Sequence, residues 1–239
     1  MRMFLDIECY RNYFLVMFLS DDGRVGAYEM YDGHPLNTEA VYRLLTYPGL
    51  EHYTFNGTTY DIPLIQLAMN GATCADLKSA SDNIIENNLK HWQFEKMYPT
   101  QRFQINHVDL IEVAPGQNSL KMYGGRLHCD KLQDLPFDPS DEISEAQRPI
   151  IRTYCRNDLL VTKALADSLR EQIDLRRTLR EHLVEELERA DLAYVFTPDD
   201  LRSKSDAQIA ESVLKQRVFV KTGIIPRKHP VAYKKFRYE

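Results

Sequence analysis

The chain has 239 residues, of which 44% are hydrophobic and 27% charged, with a net charge of −5. That balance suits one large folded domain, or one domain with an appendage, and it supplies enough apolar residues for a core. It excludes a disordered polar polymer, and no apolar run approaches the length of a membrane span. The N-terminus meets Asp6 too early for a signal peptide, so a cytoplasmic protein without membrane contact is expected.

The charge is uneven. Residues 202–239 carry ten Lys/Arg against three acids, a balance of +7, which leaves −12 for the residues before them. An acidic body repels phosphate unless cations neutralise its carboxylates. The basic tail reads either as solvated surface or as a nucleic-acid contact or a connection to a further domain. Cys9, Cys74, Cys129 and Cys155 are scattered with no C-x-x-C pair. Their spacing therefore suggests neither a zinc site nor a disulfide framework, and reduced thiols are expected.

In chain order, residues 3–8 read as a buried strand and 13–20 as a second. The turn signal Asp21-Asp22-Gly23-Arg24 then returns the chain as a third strand over 25–30, giving an antiparallel meander. A helix follows over 38–45, with Thr38 as its cap and Pro48-Gly49 as its stop. Residues 52–56 form a short strand, and 62–69 a helix opened by Pro63 and closed by Asn70-Gly71. Another short strand is expected over 105–110, then a loop-rich stretch over 115–139. Helical spacing begins near Ser144 and is clear from Ile150, through Leu165, Leu169 and Ile173. Leu175, Leu179, Leu183 and Leu187 then recur four apart and read as a core-facing stripe, and a last short helix is expected over 205–215. This order predicts an α/β domain built on a mixed sheet, with antiparallel N-terminal strands and flanking helices. It is the element order of the ribonuclease-H-like fold.

Three short motifs carry chemistry. Asp6-Ile7-Glu8 lies on the first strand, where residues two apart face the same side. Phe4, Asp6 and Glu8 thus share one face, and two carboxylates held together there repel unless a cation joins them. Asn56-Gly57-Thr58-Thr59-Tyr60-Asp61 bridges a strand and a helix and puts Asp61 at or beside the helix N-cap, either as a plain cap or as a metal ligand, with Asn56 left to orient substrate or backbone. Tyr154-Cys155-Arg156-Asn157-Asp158 places Tyr154 and Asp158 one helical turn apart on one face. A phenol there can aim a water by hydrogen bonding, although its pKa makes it a poor base.

Together these motifs resemble the three exonuclease motifs of the DEDD family of 3′–5′ exonucleases. The resemblance covers about residues 1–190 and leaves 191–239 as a basic extension. It implies that Asp6, Glu8, Asp61 and Asp158 hold two divalent ions, Mg²⁺ with Mn²⁺ able to substitute. One branch of the family has His five residues before the last acid, where this chain has Thr153; the other has Tyr four residues before it, here Tyr154. Ser119-Leu120-Lys121-Met122-Tyr123 is similar to a motif that steadies the frayed strand in proofreading domains of phage family B DNA polymerases. By that resemblance Ser119 and Leu120 are substrate contacts. Lys131 is offered as a phosphate contact, although its surroundings depart from the family pattern. Phe55, Tyr60 and Tyr123 are available to stack on bases.

The stretch 201–207 looks like a connection to a polymerase domain, and no polymerase motif follows it. The implied activity is removal of nucleoside 5′-monophosphates from DNA 3′ ends, in the host cytoplasm if the chain is phage-encoded, with a polymerase domain as partner. An independent exonuclease of the RNase D type, acting on RNA or single-stranded DNA, remains open. So does an inactive domain that binds nucleic acid or a replication partner.

Overall fold

The computed structural model describes residues 1–226 except Arg102 and Gln117, so the last part of the basic tail lies outside the described residues. The chain divides into two compact units, Met1–Ile173 and Asp174–Glu239.

The first unit is an α/β structure on a five-stranded mixed sheet of order β3-β2-β1-β4-β5. Its strands are β1 (Arg2–Tyr10), β2 (Tyr13–Ser20), β3 (Val25–Tyr31), β4 (Glu51–Thr54) and β5 (His107–Asp109). The first three form the expected antiparallel meander, and β4 and β5 add in parallel to β1 and to each other. β2 is buried at all eight residues. It lies between two strands with both faces covered, which is why its sequence is an unbroken apolar run rather than an alternating one.

The helices are α1 (Thr38–Thr46), α2 (Asp61–Met69), α3 (Cys74–Asn87), α4 (His91–Met97), α5 (Leu120–Arg126) and α6 (Arg148–Ser168), with α7 (Arg170–Arg189) running across the division between units. The period of two along β1 separates two cores. Met3, Leu5, Ile7 and Cys9 pack with Leu64 and Ile65 of α2 and Leu77 and Ala80 of α3. Phe4 and Tyr10 face the other way, onto Ile151, Cys155 and Leu159 of α6. Asp6 and Glu8 share the face of Phe4, so both carboxylates are directed to the α6 side.

Several expectations need correction. Asn37, not Thr38, caps α1, its side chain accepting from Ala40 N at 3.1 Å. Helix α5 lies within the stretch expected to be loop, with Ser119 as its cap. α3 and α4 carried no expectation. Yet Thr73 and Asp76 form a capping box at the start of α3, and Leu77, Ala80 and Ile84 make its buried stripe.

The second unit, described by itself, contains most of α7 and α8 (Asp206–Thr222), which is longer than expected. Ser205 caps α8 and Gly223, at φ +68°, ends it. Leu183, Leu187, Leu201 and Phe219 are buried, and Phe196 stacks on Phe219 at 5.1 Å. Leu183 and Leu187 thus keep the expected core stripe, but Leu175 is 67% exposed. The neighbouring Arg176 is buried instead, donating to Lys204 O at 3.0 Å and pairing with Asp206 at 2.8 Å. No described helix is long and apolar enough to cross a membrane.

Candidate metal centre

The site begins where the sheet opens. β1 pairs with β2 along its whole length, up to Tyr10↔Tyr13, but with β4 only from Arg2↔Glu51 to Phe4↔Tyr53. Beyond Phe4 the β4 side of β1 is unpaired. Such an opening at the carboxyl ends of parallel strands is where α/β sheets commonly place ligands. Here the Ile7 backbone favours the charged form of the Asp61 carboxylate.

Asp61 is delivered by a tightly held turn after β4. Asn56 adopts a left-handed conformation at φ +69°. Gly57 follows with its N–H on Thr54 Oγ1 at 3.1 Å. A Cβ on Gly57 would fall 2.1 Å from that same Oγ1, so only glycine fits. Asp109, at the end of β5, clasps the turn. Its Oδ1 accepts from Asn56 N and its Oδ2 from Thr58 N, both at 2.8 Å. Gly57→Ala is expected to cost about 1–3 kcal/mol, as overpacking does, and to lower the melting temperature measured by circular dichroism. A melting temperature equal to wild type would contradict this account of the turn.

Across the opening, α6 presents Tyr154, Cys155 and Asp158. Tyr154 and Asp158, one turn apart as the spacing predicts, are neighbours, and the Tyr154 hydroxyl favours the charged form of Asp158. Cys155 is fully buried and donates its thiol to Asp6 Oδ2 at 3.4 Å. Thr153 faces away, exposed, with its hydroxyl on Pro149 O. One ligand atom from each of Asp6, Glu8 and Cys155 lies within 4.8 Å of the others.

The electrostatics are those of a cluster short of positive charge. Burial, then the Asp158 charge, pushes Asp6 up to about 7. Asp6 and Asp61 lie close enough to influence each other's ionisation. Asp61 is raised well above the usual carboxylate range by burial and then by Asp6 and Asp109. Glu8 is raised well above it too, by burial and then by Asp6, Asp158 and Asp61. Asp158 is raised by burial, against which the Tyr154 hydroxyl and the Lys121 charge act. Burial likewise raises Cys155 and Tyr154.

Glu8 is the most telling member. It is 7% exposed, and among the described residues no hydrogen bond reaches its carboxylate. A buried ionised acid without donors is strongly disfavoured. A cation bound between these oxygens would resolve the burial and the repulsion together, so the residues fit a divalent metal.

The remaining candidates are less closely involved. Asn56 is used within its own turn, its side-chain oxygen accepting from Thr59 Oγ1 at 2.8 Å. Tyr60 bonds Ser81 Oγ at 2.7 Å. Phe55 packs edge-on to the buried Tyr123 at 5.9 Å, and the Tyr123 hydroxyl donates to Pro115 O. Ser119 accepts from Met122 N as a helix cap, and Leu120 packs on the core. Lys131 is exposed in the loop between α5 and α6.

Three residues carried no expectation of a role in the site. Asp109 shapes the turn, Lys121 supplies the positive charge felt by Asp158, and Cys155 touches Asp6. Lys121 lay inside the Ser119-Leu120 motif, so a signal for it existed. It pairs with Asp134 at 3.0 Å, a fully exposed carboxylate. Comparison with protein families, curated proteins and solved structures found no match for the chain.

Proposed function

We propose that this protein is a metal-dependent 3′–5′ exonuclease with a ribonuclease-H-like fold that releases nucleoside 5′-monophosphates from DNA ends. The observation that carries the reading is the buried, donor-free Glu8 among the carboxylates of Asp6, Asp61 and Asp158. Three separated motifs meet at one opening of the sheet, and against the acids they gather there the Lys121 charge acts on Asp158. The strand order β3-β2-β1-β4-β5 is compatible with the same reading.

Asp6, Glu8, Asp61 and Asp158 are the residues that would hold the ions. Mg²⁺ or Mn²⁺ bound there would activate a water and neutralise charge at the scissile phosphate. The chain's own part is to place those oxygens, to keep Asp61 on a rigid turn and to aim the nucleophile. The Tyr154 hydroxyl is suited to aiming, because it neighbours Asp158 and is held firmly protonated by burial. Among the described residues Lys121 pairs with an exposed acid, which it can exchange for a substrate phosphate at little cost. Preference for DNA, and a place as the proofreading part of a phage polymerase, rest on the resemblance around Ser119 and Leu120.

A 5′-labelled single strand incubated with Mg²⁺ is expected to shorten from its 3′ end, and RNA of the same sequence to be cut more slowly. Full activity in the Asp6→Ala, Glu8→Ala double variant would sink the reading. Tyr154→Phe removes only the hydroxyl and is expected to lower kcat on the order of 10²-fold while Mn²⁺ affinity by calorimetry holds. An unchanged kcat would remove Tyr154 from the mechanism.

A further inference from the structure

The sequence spacing of the cysteines gave no reason to expect a thiol at the metal centre, yet the fold brings one there from 149 residues away. Cys155 Sγ lies 3.4 Å from Asp6 Oδ2. A tetrahedral zinc with Zn–S near 2.3 Å and Zn–O near 2.0 Å holds those two atoms about 3.5 Å apart. The third atom of the compact group comes from Glu8, which is buried, has no hydrogen-bond donor among the described residues and lies within 4.8 Å of both partners. Its carboxylate is thus open to a ligand at the same point. Asp6 keeps an exposed edge through which an ion can enter.

Hard cations do not use such a thiol. Mg²⁺ takes oxygen ligands in near-octahedral geometry, whereas thiolate selects zinc-like ions. The thiols of Cys9 and Cys74 stand elsewhere. Cys9 belongs to the core on the opposite face of the sheet, and Cys74 donates to Met30 O. Cys129 lies in the loop after α5.

We propose that Asp6, Glu8 and Cys155 form a site for a thiophilic divalent cation of the Zn²⁺ and Cd²⁺ class. Binding displaces to solvent the Cys155 proton and any protons held by Asp6 and Glu8, and leaves the ion with one thiolate and two carboxylates. Because Asp6 and Glu8 are shared, the thiophilic ion excludes the hard cations. This inhibitory consequence rests on the exonuclease reading; the binding itself does not.

The test uses Cd²⁺ added to the full chain without substrate. The ultraviolet thiolate-to-cadmium charge-transfer band is expected to appear at about one ion per chain. It is expected to vanish in Cys155→Ser, and Glu8→Gln, which keeps the thiol, is expected to need at least about tenfold more Cd²⁺. No band in wild type, or a band that survives in Cys155→Ser, overturns the proposal. Should the serine variant fail to fold, the Glu8→Gln titration decides, because an unshifted curve there also overturns it. In a parallel arm, Cd²⁺ is titrated against the Mg²⁺-dependent nuclease, each variant being compared with its own uninhibited rate. The inhibiting concentration is expected to rise at least tenfold in Cys155→Ser, and an equal value in both proteins overturns the shared site. A wild type that gives the band but has no nuclease activity refutes the exonuclease reading and leaves the cation site standing.

Discussion

Glu8→Gln, stripped of metal with EDTA at pH 8, melts at a higher temperature than wild type and has lost its Mg²⁺-dependent activity. Both effects come from one carboxylate. In the metal-free protein Glu8 is buried among Asp6, Asp158 and Asp61 with no donor of its own. The amide has nearly the same shape, removes a charge from that group and offers two N–H donors to the neighbouring carboxylates. Wild type carries the cost of burying an acid that its surroundings disfavour and the amide does not, so a higher melting temperature is expected.

On the proposed function, the same change removes a charged ligand from the candidate metal centre. Metal ions contribute several kcal/mol to the transition state of phosphoryl hydrolysis, so a loss on the order of 10³-fold is expected. A structural carboxylate behaves in the opposite way, because its loss lowers stability. Scanning calorimetry with and without 5 to 10 equivalents (~) of Mn²⁺ reads both halves. A Glu8→Gln protein that melts below wild type in EDTA, and that Mn²⁺ stabilises as much as it does wild type, would show that Glu8 is no ligand.

The parts of this molecule that were legible in the sequence are those governed by short-range periodicity. Asp6 and Glu8 share a face because strand residues alternate, and Tyr154 reaches Asp158 because a helix returns after four residues. β2 was visible because a strand covered on both faces is apolar throughout. The stripe of leucines four apart was read too generously. Four residues advance a helix by about 40° past a full turn, so Leu175 and Leu187 cannot face the same core. Leu187 is buried, Leu175 is exposed, and Arg176 takes the inner position because Lys204 O and Asp206 receive its guanidinium.

What the sequence concealed depends on chain crossings. Asp109 is a lone acid at the end of a three-residue strand, and only parallel pairing with β4 sets it against the Asn56–Thr58 peptides. Cys155 reads as an inert core thiol until β1 is laid beneath α6. The signals for α3, by contrast, are local ones, the Thr73–Asp76 cap and the spacing of Leu77, Ala80 and Ile84.

The second large effect is a stability profile whose slope reverses when metal is added. In wild type without metal, Asp6 titrates near 7 in the folded state, while Glu8 and Asp61 are raised well above the usual range. In the unfolded chain all three are ionised above about pH 5. Between pH 6.5 and 8.5 the folded state therefore holds more protons than the unfolded state, and stability falls as pH rises. His52 does not mask this. Burial lowers its pKa to about 4, so it costs stability only as pH falls below about 6.5 and is neutral in both states above that. A metal-free stability that keeps rising as pH falls from about 8.5 to about 5 is expected, because the three carboxyls that hold protons in the folded state outweigh the one proton of His52. Mg²⁺ or Mn²⁺ competes with protons for the same oxygens, so its stabilisation grows with pH and flattens or inverts the slope. Asp6→Asn is expected to flatten the metal-free profile and to abolish most of the response to Mn²⁺. Thermal melts at half-unit steps from pH 5 (~) to pH 8.5, with EDTA or with Mn²⁺, measure all of this. A metal-free stability that climbs steadily from pH 6.5 to 8.5 would mean that these carboxylates are ionised and satisfied without any cation, and the metal centre would have to be given up.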